Sequence, residues 1–150
     1  MGSFTSVVVG TDGSASSLRA VDRAASLAKD AGATLHLVSA YAPLSQRDRE
    51  RAAEELGARG YLGDGSDVAE GVLRVAADRA ASAGADRVER HALPGSPVDV
   101  LIEAARDNAA DLLVVGNRGL NSLSGRILGS VPQDVAHKAT CDVLIVHTTD

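Results

Sequence analysis

The apolar positions along the chain change period several times, and each change marks an element. Ser6–Val9 reads Ser-Val-Val-Val and ends in Gly10-Thr11-Asp12-Gly13-Ser14. A β-branched run closed by turn residues predicts a buried strand followed by a turn. Leu18, Val21, Ala25 and Ala28 then recur at spacings of three and four, with Arg19, Asp22, Arg23 and Lys29 between them. That pattern is an amphipathic helix, and Gly32 stands where a left-handed residue would end it. Thr34–Ala40 returns to a strand. Regularity is lost over Tyr41–Ser66. Pro43, a mixed-charge block at Arg47–Glu55 and glycines at 57, 60, 63 and 65 predict a short exposed helix and an open loop.

A second helical pattern starts near Asp67 and ends near Gly84, with Val68, Val72, Val75, Ala76 and Arg79 along one side. Arg87–Leu93 alternates weakly around Val88, as an edge strand does. Ser96-Pro97 supplies a cap and a first-turn proline for a helix with Val98, Leu101, Ile102 and Ala105 on its buried face. Leu112–Val115 and Val143–His147 are apolar strands. Between them, Pro132 requires a helix to begin near Gly129–Ser130, because proline suits a first turn and breaks an interior. Short apolar strands alternating with amphipathic helices predict an α/β fold. The expected form is a three-layer, doubly wound sandwich around a five-stranded parallel sheet. Neither a repeat nor a linker divides the chain, so residues 1–150 are expected to form one domain.

Composition then removes whole classes of function. With 15 Lys+Arg against 20 Asp+Glu the net charge is −5, which argues against broad nucleic-acid binding. Aromatics at 2% leave no base-stacking platform. The single cysteine, Cys141, excludes a disulfide framework and a multi-thiolate metal site, and reads as a small core residue. The longest apolar runs are too short to span a bilayer, and Met1–Ser6 lacks the flanks of a signal peptide. A cytoplasmic protein without a membrane partner is expected. His36, His91, His137 and His147 are scattered, with no i,i+4 pair, so no catalytic or metal role is assigned to them.

Ligands of open α/β sheets bind beyond the C-terminal strand ends, where strand order reverses. Two glycine-bearing turns occupy such places, Gly10–Ser14 and Gly116–Ser130. The second reads Gly116-Asn-Arg-Gly119-Leu-Asn-Ser-Leu-Ser-Gly125-Arg-Ile-Leu-Gly129-Ser130-Val-Pro132. A glycine-rich loop feeding a helix N-terminus presents unpaired N–H groups and the positive end of the helix dipole, which suits a phosphate. Gly116 and Gly119 would admit close backbone approach, and Ser130 could donate its hydroxyl. Spacing alone equally allows turn-forming glycines and a capping Ser130. Ser122 and Ser124 lie in the same loop; Arg118 and Arg126 flank it and either pair with phosphate or stay solvated. There is no P-loop lysine motif, and no Gly-x-Gly-x-x-Gly follows the first strand.

The spacing Gly116-x2-Gly119-x9-Gly129-Ser130 after Asp111-Leu-Leu-Val-Val resembles the nucleotide-binding signature of the universal stress protein family. Val7-Val-Val-Gly-Thr-Asp12-Gly13-Ser14 and Cys141-Asp-Val-Leu-Ile-Val-His147 resemble that family's first and last strands. The likeness spans all but Tyr41–Ser66. It implies a Rossmann-like sheet of strand order 3-2-1-4-5. It also implies an adenine-nucleotide site at Gly10, Thr11, Asp12, Ala40, Val115, Gly116, Arg118, Gly119, Gly129, Ser130 and Val131. Asp12 matches the acidic position that contacts ribose or, through water, a phosphate-bound Mg²⁺; as a plain carboxylate it would equally cap the first helix. Ala40 matches the small position beside adenine, and plain packing accounts for it as well. Adenine would then lie on aliphatic surface near Ala40 and Val115.

Ser39-Ala-Tyr41-Ala-Pro and the loop from Gly116 to Pro132 resemble the actinobacterial branch in which cyclic AMP is a ligand. The implied ligand is therefore cyclic AMP or ATP, the latter with Mg²⁺, in a stress-related regulator, sensor or nucleotide buffer. No catalytic residue is assigned. A slow Mg²⁺-dependent ATPase and a ligand-free dimeric scaffold stay open as alternatives, while Gly10-Thr-Asp-Gly-Ser lacks the Ser-Gly-Gly-x-Asp-Ser order of adenylating ligases. The family also implies a homodimer through Val143–His147.

Overall fold

The computed structural model describes residues 4–43, 65–118 and 130–148. In chain order they form β1 (Ser6–Gly10), α1 (Ala15–Ala31), β2 (Thr34–Tyr41), α2 (Ser66–Ser82), β3 (Arg87–Pro94), α3 (Pro97–Asp107), β4 (Leu112–Gly116), α4 (Ser130–Lys138) and β5 (Asp142–Val146). The strands form one parallel sheet in the order β3-β2-β1-β4-β5. Order and class agree with the sequence reading. The short exposed helix expected within Tyr41–Ser66 falls outside the described residues.

Coverage on both faces explains the continuous apolar strands. Val7 and Val9 join Leu35, Leu37, Leu112 and Val114 in a core closed by α1 and α2. Val8 joins Val38, Leu113 and Val115 in a second core closed by α3 and α4. Two cores on opposite faces of one sheet give the three layers. β3 is an edge strand, and its polar Arg87, Glu89 and Arg90 are exposed. The start of β4 is tied to the chain before β1. The Asp111 carboxylate accepts hydrogen bonds from the Thr5 and Ser6 N–H groups and from the Thr5 hydroxyl at 2.9–3.2 Å. Partial burial pushes that carboxyl up, but these donors outweigh it and hold it below its ordinary range.

Two helix faces differ from the sequence reading. In α2 the buried residues are Ala69, Leu73, Ala76 and Ala80, whereas Val68 is 72% and Val75 52% exposed. Arg79 is also exposed, and its guanidinium pairs in two-pronged fashion with Asp22 of α1. A helical period admits both stripes, which lie about 100° apart around the helix. Small side chains decide between them: α1 presents Ala20, Ala24 and Ala28 to this core, and an alanine-rich partner lets the two helices approach closely. In α3 the buried face is Val100, Leu101, Ala104 and Ala105, with Val98 and Ile102 half-buried at its flank. β5 ends at Val146, one residue before the expected end.

Candidate functional site

Strand order reverses between β1, whose crossover leads to β2, and β4, its neighbour on the other side. Register pairs Val9 with Val114, so the chain leaves the sheet at adjacent points, Gly10 and Gly116. Crossover helices run antiparallel to the strands. The N-terminal ends of α1 and α4 therefore lie at this C-terminal edge of the sheet.

The turn after β1 is held by its own hydroxyls. Thr11 is 1% exposed; its N–H donates to the Val38 carbonyl at 2.9 Å, and its hydroxyl lies 2.8 Å from that of Ser17. Gly13 N–H donates to the Thr11 hydroxyl at 3.1 Å. Gly13 has φ +84°, a conformation open to glycine without strain, and an added Cβ would lie 3.1 Å from the Val72 side chain. Asp12 is half-buried, and its Oδ1 accepts from Ser14 N–H at 2.9 Å, forming an Asx turn. The helix cap is not Asp12 but Ser14, whose hydroxyl accepts from Ser17 N–H at 3.1 Å. Asp12 shapes the turn, while Ser14, two residues later, has the extended backbone of a cap residue.

Beyond β4, Gly116 is buried, Asn117 half-buried and Arg118 exposed. Ser130 is exposed at the start of α4 and the next residue, Val131, is buried. Val115 and Val131 belong to the core under α3 and α4, with half-buried Ala40 packed against it. The structure thus brings Gly10, Thr11 and Asp12 beside Val115 and Gly116, and places Ala40 with Val115 and Val131 on one sheet face. Gly119, Ser122, Ser124, Gly125, Arg126 and Gly129 lie outside the described residues.

Three features of the structure were not legible in the sequence. Gly116 does not take a left-handed conformation. A Cβ on it would lie 3.3 Å from Thr148 Cγ2, 3.5 Å from Thr148 Oγ1 and 3.6 Å from the Ser16 hydroxyl. Its lack of a side chain therefore also admits Thr148, which follows β5 and is 3% exposed. Asn117 Oδ1 accepts from both the N–H and the hydroxyl of Thr148, at 2.9 and 2.8 Å. The third feature is a histidine pair. His36 on β2 and His91 on β3 meet across the strands, Nδ1 to Nε2 at 3.0 Å, with Glu89 Oε2 3.6 Å from His36 Nδ1. Burial lowers the pKa of His36; the Glu89 carboxylate opposes that shift and His91 adds to it. Only the β2–β3 register, in which His36 faces Glu89, could have revealed this pair.

Elsewhere, a groove of about 380 Å³ lies between α1 and α2, lined by Asp22, Val75, Asp78, Arg79, Ser82 and Ala83. It sits on the helix layer, away from the strand ends. Cys141 is half-buried against the core under α3 and α4, and burial, followed by Asp142 and Asp111, raises its thiol pKa. Among the described residues no group of three or more His, Cys, Asp or Glu side chains is arranged to hold a metal ion. No helix among them is long and apolar enough to cross a membrane.

A universal stress protein of Mycobacterium tuberculosis (strain H37Rv) is 50% identical over 149 residues, covering 99% of this chain and 100% of its own. A universal stress protein solved in complex with cAMP is 46% identical with a TM-score of 0.73, covering 97% of this chain and 98% of that one. The universal stress protein of Lactobacillus plantarum, at 21% identity and a TM-score of 0.76 over 95% of this chain and 97% of its own, shares the fold. A family model for the universal stress protein family matches residues 3–147. With the glycine-bearing turns at the sheet's switch point, these matches establish that the chain belongs to the universal stress protein family.

Proposed function

We propose that this chain binds an adenine nucleotide, cyclic AMP or ATP, at the switch point between β1 and β4, and acts as a stress-related nucleotide sensor or buffer. The observation that carries this reading is the convergence of Gly10-Thr11-Asp12 with Gly116 where strand order reverses, beside the N-terminal end of α4. Its chemistry suits the ligand. Exposed Ser130 and the first N–H groups of α4 offer donors to a phosphate, and exposed Arg118 offers a guanidinium. The Asp12 carboxylate can accept from ribose hydroxyls or reach a Mg²⁺ accompanying ATP through water. Ala40 and Val115 supply an aliphatic surface for the base. The complex of a 46%-identical universal stress protein with cAMP supports the same class of ligand.

Gly119 and Gly129 complete the proposed phosphate loop by the family signature. β5 is the other edge of the sheet, with Ile145 36% exposed on it, and is the strand proposed to pair across a homodimer in the cytoplasm. Isothermal titration of the folded protein with cyclic AMP, and separately with ATP and Mg²⁺, tests the reading. Saturable heat with at least one nucleotide is expected. No heat from either would sink it, and phosphate release during the ATP titration would move the assignment towards a slow ATPase.

A further inference from the structure

Thr148 is almost fully enclosed although it lies beyond the last strand. Each of its polar groups has a partner: N–H and hydroxyl donate to Asn117 Oδ1, and the carbonyl accepts from Arg19 Nη1 at 2.6 Å. Its hydroxyl also makes a short hydrogen bond with the Ser16 hydroxyl. A hydroxyl has one proton, and that of Thr148 is given to Asn117, so Ser16 must be the donor to Thr148. The result is a directed chain, Ser16 O–H to Thr148 O–H to Asn117 Oδ1, in which each bond polarises the next. Asn117 is further anchored by its N–H, which donates to the Val146 carbonyl at 2.8 Å. Its amide nitrogen lies 3.4 Å from His147 Nδ1. The first residues after β4 are thus tied to α1 and to the segment after β5.

From this network we infer that Thr148 is a positioning residue of the nucleotide site: with Ser16 and Asn117 it holds the Gly116–Asn117 turn in the binding-competent conformation. The inference rests on the proposed nucleotide reading and adds a residue that the family signature does not contain. The space that the missing Cβ of Gly116 leaves is filled by Thr148 Cγ2 at 3.3 Å, so the glycine serves the latch as well as the approach of a phosphate.

Titrations of the full chain with cyclic AMP and with ATP plus Mg²⁺ test the latch, read with whichever nucleotide the wild type binds and each paired with a thermal melt. Thr148→Val keeps the shape and removes both hydroxyl bonds. With only part of the lost bonding expressed in the turn, roughly 5- to 10-fold weaker binding is expected. Thr148→Ser keeps the hydroxyl and should bind within about 2-fold of wild type. Gly116→Ala weakens binding by pressing on Thr148 Cγ2. Thr148→Ser deletes that methyl, so the double variant should recover part of the loss. Were Thr148→Val not to fold, Ser16→Ala replaces it, since alanine suits a first helical turn and removes only the donor hydroxyl. Thr148→Val or Ser16→Ala binding as wild type, or strict additivity of Gly116→Ala and Thr148→Ser, overturns the latch while leaving the nucleotide reading intact. Silence of the wild type towards both nucleotides would overturn the nucleotide reading, and the latch with it.

Discussion

At the scale of single residues, the histidine pair has a measurable consequence. His36 is 5% exposed and its ring meets His91 through one N–H and one lone pair, an arrangement that is complete when the pair is neutral. Burial holds the His36 pKa below its ordinary 6.5, which the unfolded chain recovers. As pH falls through 6.5 the unfolded state takes up a proton that the folded state refuses, so stability falls. Above that range the group contributes no pH dependence. Urea unfolding of wild type and of His36→Leu, followed from pH 7.5 to 5.5, isolates this share of the pH dependence. The wild type should lose more stability over the lower half of the range than the variant. Parallel curves would show that His36 titrates alike in both states. Glu89 pulls in the opposite direction, so Glu89→Gln should steepen the wild-type fall.

At the scale of elements, α2 separates patterning from packing. Leu73 is fully buried, and Leu73→Ala should cost about 2–5 kcal/mol in chemical denaturation. Val68→Ala removes more exposed apolar surface than buried, and should change stability by no more than about 0.5 kcal/mol. Equal losses would restore the valine stripe as the buried face. The contrast shows how far sequence carries. β1 and β4 were legible because a strand covered on both faces must be apolar throughout, and β3 because an edge tolerates Arg87, Glu89 and Arg90. The face of α2 was not, since two stripes share one period and the choice was made by alanines on α1. The site divides along the same line. Gly10, Asp12, Gly116 and Ser130 are visible in sequence because glycine and helix-start chemistry leave local signs. The Ser16–Thr148 and His36–His91 contacts join residues 132 and 55 positions apart, and only the assembled sheet brings them together. Capping by Ser14 instead of Asp12 was undecidable locally, because both residues are good caps and backbone geometry made the choice.

At the scale of the whole molecule, a ligand at the proposed switch-point site would couple to the stability of both cores. The turn after β1 is anchored to β2 through Thr11 N–H and Val38, and the turn after β4 to β5 through Asn117 N–H and Val146. Unfolding separates these turns and destroys the site. A nucleotide that binds only the folded chain therefore stabilises it by RT ln(1 + [L]/Kd), about 2.7 kcal/mol at a hundredfold excess over Kd. For a chain of this length that is a rise in melting temperature of roughly 5–10 °C. Cyclic AMP at that excess should produce it in a thermal melt at constant ionic strength. Inorganic phosphate at the same concentration supplies the anion without the base or sugar, and should fall well short. Cyclic GMP offers a different base edge on the same phosphodiester, so its shortfall measures what recognition of the adenine edge adds to purine contact with the aliphatic surface near Ala40 and Val115. If all three gave the same rise, the site would recognise an anion at the start of α4 and nothing of adenine. The aliphatic wall would then be core packing and not part of a ligand site.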